Sequence, residues 1–242
     1  MDFNLSEEQL NFQRSVRNLA ERHLKENNLK RAHDPNFPKD IARLFAKNGL
    51  MGITIPEIDG GQGGKLMDAV IAIEQVALVC PRSADVIQSG SFGPLRTFAE
   101  YASPFQKEKY LTKLLNGEIV IGLGMTEPNA GSAVTDLATK ATSDGDGFRV
   151  SGSKIFTSNS PDADIFLVYV RYGEGINGIG SVLMDRSMKG FSLGKPSKYT
   201  NGEEWCALYF ENVFIPKENV LLGPGGFKKQ IAGFNAERIG NT

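Results

Sequence analysis

The stretch Met125-Thr126-Glu127-Pro128-Asn129-Ala130-Gly131-Ser132 decides how the chain is read. It follows the apolar run Ile119 to Leu123, which predicts a buried strand. A strand that empties into Thr-Glu-Pro, a small residue, Gly and Ser makes a loop rich in hydroxyls and backbone donors. Such a loop suits the polar edge of a flat ligand. It also marks a change of period. Upstream the apolar residues recur at helical spacing; downstream, short apolar or alternating runs are separated by Gly, Asp and Asn.

Upstream, Leu5-Ser6-Glu7-Glu8-Gln9-Leu10 predicts a helix start, with Ser6 and Gln9 as a capping box and Leu5 and Leu10 as its staple. Phe12, Val16, Leu19, Ala20 and His23 follow at helical spacing. A second helix is predicted from Pro38 through Ile41, Leu44 and Phe45, stopping at Gly49. A third runs through Leu66, Ala69, Val70, Ile73, Val76 and Ala77. A fourth opens on the capping box Ser103-Pro104-Phe105-Gln106 and runs through Tyr110, Leu111, Leu114 and Leu115 to Gly117. Downstream, Leu137 to Thr142 and Phe148 to Ser151 flank Ser143-Asp144-Gly145-Asp146-Gly147, a predicted hairpin. Asp164 to Tyr172, Ile179 to Asp185 and Trp205 to Ile215 supply further strands. Many short strands without intervening helices predict a closed barrel or a sandwich. Helical spacing returns with Phe227, Ile231, Phe234 and Arg238. The expected organisation is therefore a helical domain over 1–118, a barrel-like β domain over 119–225 and the first turns of a helical bundle over 226–242.

The chain has 242 residues, 40% hydrophobic and 23% charged, with a net charge of -1, which describes an ordinary soluble globular protein. No basic block supports nucleic-acid binding. The two cysteines, Cys80 and Cys206, stand far apart in apolar surroundings and are expected as buried thiols. Met1-Asp2-Phe3-Asn4 carries no export signal, and no apolar run reaches membrane-spanning length. The expected location is cytoplasmic.

Downstream of the opening stretch lies Lys154-Ile155-Phe156-Thr157-Ser158-Asn159, with Asp144-Gly145-Asp146-Gly147-Phe148 and Ser151-Gly152 between the two. Taken in this order, the elements resemble the flavin-binding signature of the acyl-CoA dehydrogenase family. Helices, then a β domain, then a helix is also that family's order. The resemblance spans essentially all of this chain and the first two of three family domains. It implies FAD as cofactor, held by Leu123, Met125, Thr126, Ser132, Phe156, Thr157 and Ser158. Met125 and Thr126 would serve the pyrimidine end, Ser158 the redox-active side, and Phe156 the ring face. Ser132 matches a position that touches the pantetheine arm of an acyl-CoA. The family usually has Gly-Ser-Asp where this chain has Gly131-Ser132-Ala133.

The family's reaction needs a carboxylate to remove the α-proton of a thioester while hydride leaves the β-carbon for the flavin, so a base on a rigid helix suits it. In isovaleryl- and long-chain-type members the base lies on the first helix after the β domain. Phe234-Asn235-Ala236-Glu237-Arg238 resembles that motif, with Asn for Asp. This implies Glu237 as the base and Asn235 and Arg238 as contacts for the CoA portion. The resemblance further implies oxidation of an acyl-CoA to the trans-2-enoyl-CoA, transfer of electrons to an electron-transferring flavoprotein, and a homo-oligomer, dimer or tetramer. Two alternatives stay open: a flavin monooxygenase or oxidase of the same fold, and a truncated chain without activity of its own, since the helical pattern is interrupted at Thr242.

Pro56-Glu57-Ile58-Asp59-Gly60-Gly61-Gln62-Gly63-Gly64-Lys65 resembles the family's Pro-Glu-x-x-Gly-Gly loop and fails as a phosphate loop. Asp59 stands where the first glycine is needed, and Leu66 follows the lysine. His23 and His33 both lie in the helical region, no Cys/His cluster has metal spacing, and no nucleophile elbow is present. Metallo- and serine-hydrolase chemistry is excluded on those grounds.

Overall fold

The computed structural model describes residues 4–240. The reading of an absent export signal therefore falls almost entirely outside the described residues, as do the last two positions of the expected third segment.

The N-terminal half is built of helices α1 (Glu7–Leu24), α2 (Asn28–Ala32), α3 (Lys39–Lys47), α4 (Leu66–Ala77), α5 (Pro81–Ser91), α6 (Gly93–Tyr101), α7 (Pro104–Gln106) and α8 (Thr112–Leu115). A π-helical turn, Lys107–Leu111, joins α7 to α8. The Ser6 box closes as expected: Gln9 N donates to Ser6 Oγ at 3.2 Å, and Ser6 N donates to Gln9 Oε1 at 3.1 Å. The buried stripe of α1 is Val16, Ala20 and Leu24. His23, expected on that stripe, is exposed; Leu24 takes the inward position. The expected helix through Tyr110 and Leu115 is one run broken into α7, the π turn and α8.

Three helices are not predicted by the sequence: the short α2, α5 and α6. In α5 the buried positions include Arg82, Ser83, Gly90 and Ser91, and α6 opens Gly-Pro. Neither segment shows a clean apolar period. Together they bridge the helices and the sheet.

The strands are β1 (Ile121–Gly124), β2 (Lys140–Asp144), β3 (Gly147–Ser158), β4 (Ile165–Arg171), β5 (Ile179–Asp185), β6 (Phe191–Leu193), β7 (Ser197–Lys198), β8 (Glu204–Pro216) and β9 (Val220–Leu222). They form one mixed nine-stranded sheet in the order β6-β8-β3-β2-β4-β5-β9, with β1 parallel to β4 and β7 on β8. The hairpin pairs Asp144 with Gly147 around Gly145-Asp146, and Gly145 sits at φ +55 as such a turn requires. Its first strand begins at Lys140, not Leu137. Strand β4 is buried on both faces, which explains its unbroken apolar run. Phe166, Val168 and Val170 join one core with α1, α3, α4 and α5. Ile165, Leu167 and Tyr169 join a second with α6, the α7–α8 run and Phe227. Both cysteines are free and buried. A final helix, α9 (Phe227–Gly240), packs chiefly on α6. It turns Phe227, Gln230 and Gly233 inward and leaves Arg238 exposed, so the face expected from Phe227 to Arg238 is rotated.

Candidate active site

β1 delivers the chain to Met125 beside β3, and a backbone bond from Ile155 N to Thr126 O (2.9 Å) ties the loop to that strand. There the β3–β8 register shifts between Lys154 and Thr157, a bulge that re-aims the strand. Phe156 takes φ +57 at the bulge, and Asn159 takes φ +55 just past the strand end. Positive φ is unfavourable for an aromatic residue. It turns the Phe156 ring outward, 51% exposed, against Trp205 at 4.7 Å between centroids. Tyr199 backs Trp205 and donates from its hydroxyl to Phe156 O at 3.3 Å.

These segments form one wall of a cavity of about 370 Å³. Leu123, Met125, Thr126, Phe156 and Ser158 line it from the sheet side; Asp85, Gln88 and Ser89 line it from α5, and Phe234 and Glu237 from α9. The expected residues Leu123, Met125, Thr126, Phe156, Ser158 and Glu237 therefore meet in one space. Thr157 does not: it is fully buried, pairs with Cys206 across the sheet, and its Oγ1 has no partner. Ser132 is exposed on the loop beyond the cavity. Asn235 and Arg238 are exposed on α9, where Arg238 lies over the Phe234 ring at 4.7 Å.

Burial pushes the Glu237 carboxyl above its ordinary value, and a hydrogen bond from Gln88 opposes part of that rise. Gly93 opens α6 at φ +58 directly beneath it: a Cβ there would stand 3.5 Å from the Glu237 carboxyl carbon. At another part of the cavity, Asp85 is raised to about 6 by burial and by Glu203, with Arg82, 3.7 Å away, opposing. Glu203 is itself raised by burial. Asn159 Oδ1 is buried on the cavity wall without a partner. Asp85, Gln88 and Glu203 were missed in the sequence. The first two sit in an unread helix, and nothing local marks Glu203.

The sequence matches the acyl-CoA dehydrogenase N-terminal domain over residues 6–118 and the acyl-CoA dehydrogenase middle domain over 122–213, and the chain belongs to the acyl-CoA dehydrogenase family. It is 31% identical to the short-chain specific acyl-CoA dehydrogenase of Clostridium acetobutylicum, across 99% of this chain and 65% of that protein. It is 34% identical to the mitochondrial isovaleryl-CoA dehydrogenase of Oryza sativa, across 84% of this chain and 52% of that protein. Butyryl-CoA dehydrogenase from Megasphaera elsdenii superposes with a TM-score of 0.87 at 29% identity, covering 99% of this chain and 65% of that one. The chain thus corresponds to between half and two thirds of each of these proteins.

Proposed function

We propose that the chain carries the flavin site of an acyl-CoA dehydrogenase, which oxidises an acyl-CoA to the trans-2-enoyl-CoA with Glu237 as the base. The observation that carries this reading is the single cavity in which Met125, Thr126, Phe156 and Ser158 face Glu237. Its lining fits a flavin: the hydroxyls of Ser89, Thr126 and Ser158 and an unsatisfied amide oxygen for a polar heterocycle, and the exposed Phe156 ring for a flat apolar one. FAD, when bound, supplies the hydride acceptor. Met125 and Thr126 hold its pyrimidine end, Ser158 its redox-active side, and Leu123 and Phe156 offer apolar contact. Glu237 takes the α-proton at its carboxylate, and Gln88 orients that carboxylate. Ser132, Asn235 and Arg238 stand on exposed surface where the CoA portion would run. On this reading an electron-transferring flavoprotein would be the electron acceptor and the whole protein would be a homo-oligomer, as the family resemblance implies.

The test is the visible spectrum of the FAD-loaded protein, taken anaerobically before and after addition of acyl-CoAs of graded length. Bleaching supports the reading, and Glu237→Gln is expected to slow it by about 10²–10⁴-fold while FAD stays bound. Bound FAD that does not bleach favours an oxidase or monooxygenase of this fold. A protein that takes up no FAD overturns the reading.

A further inference from the structure

Lys154 is the one fully buried lysine among the described residues. Its stem passes beneath Gly124, where a Cβ would stand 3.3 Å from Lys154 Cγ. Its ammonium donates to Met125 O at 3.1 Å and to Glu127 Oε1 at 2.8 Å. Glu127 accepts two further bonds, from Ala138 N at 2.6 Å and Thr139 N at 2.9 Å. Ile155 N holds Thr126 O. Three consecutive residues, Met125, Thr126 and Glu127, are thus tied back into the sheet from behind. Two of them line the cavity on their other side.

We infer that Lys154 and Glu127 are positioning residues: their ion pair turns the Met125 carbonyl away from the cavity and sets the local charge behind the end of the flavin that becomes negative on reduction. This rests on the flavin reading of the cavity. A buried pair in which both partners are held by further hydrogen bonds is rigid, and removal of either partner leaves the other charge uncompensated. Burial pushes Lys154 down to about 8 while Glu127 holds it up. Burial alone would raise Glu127, but Lys154, Thr139 and the backbone N–H of Ala138 carry it below its ordinary value. Both groups are therefore charged at neutral pH, and the pair is close to neutral as a whole.

The reduction potential of bound FAD reports the ratio of affinities for its oxidised and reduced forms. A merely structural lesion weakens both forms and leaves that ratio unmoved. Lys154→Met, measured at pH 8, leaves the Glu127 carboxylate unbalanced and is expected to lower the potential. Glu127→Gln, measured at pH 6, leaves the ammonium unbalanced and is expected to raise it. Each shift is compared with the unaltered protein at the same pH. A change of about tenfold in the ratio is expected, about 30 mV for a two-electron couple. Potentials that stay put, or move in the same direction, overturn the inference while leaving the flavin reading intact. Where Lys154→Met does not fold, Glu127→Gln alone decides: a raised potential supports the inference and an unmoved one overturns it. If the unaltered protein binds no FAD, the flavin reading fails and the inference fails with it.

Discussion

Glu237 is the residue on which the proposed chemistry turns, and its surroundings make its behaviour testable apart from its identity. Burial favours the neutral acid, so its pKa lies above the ordinary 4.5 of a glutamate. A base works as the carboxylate, so the rate of flavin reduction should rise with pH through that raised value. Gln88 favours the charged form by donating a hydrogen bond to it. Gln88→Leu therefore removes a stabiliser of the carboxylate and should move the acidic limb of the pH–rate profile to higher pH. A limb that stays in place would remove Gln88 from the base's environment. Glu237 is legible in the sequence as a candidate because its motif is local. Gln88 is not, since it meets Glu237 only through the packing of α5 and α9 against one cavity.

At the scale of elements, the join between helices and sheet rests on few polar contacts, and Gln106 carries two of them. Its backbone N–H and side-chain oxygen close the cap of α7 with Ser103, and its amide Nε2 donates to Glu218 O at 2.7 Å and Val220 O at 3.0 Å. Gln106→Ala keeps the helix but leaves two carbonyls of the sheet domain without their donor. The expected loss is about 1–3 kcal/mol, readable in urea unfolding as a lower midpoint at unchanged slope. The capping box itself was legible, because Ser-Pro-x-Gln is a pattern over four residues. That the same glutamine reaches 112 residues along the chain to Glu218 was not. The same contrast separates β4 from α5. An uninterrupted apolar run has few alternatives to a strand buried on both faces. The polar positions of α5, by contrast, are buried only because other helices and the sheet cover them.

At the scale of the whole molecule, the flavin reading predicts a coupling of ligand to stability. FAD at about one hundred times its dissociation constant should add about 2.7 kcal/mol, raising the melting temperature by several degrees. A melting curve indifferent to FAD would count against the reading. By itself, the sequence determined the order of helical and β segments, most helix starts, the hairpin, the family and the two stretches that bracket the cavity. These rest on local patterns: capping boxes, apolar period and turn chemistry act over a few residues and are written there. Tertiary structure alone decided which of the expected residues share a space. It turned Thr157 into the sheet and left Ser132, Asn235 and Arg238 on the surface. It also brought Asp85, Gln88 and Glu203 to the cavity and closed Lys154 onto Glu127. Those outcomes depend on strand register, a bulge and the packing of α5 and α9 around one cavity. They join residues far apart in the chain, where no local pattern records the contact.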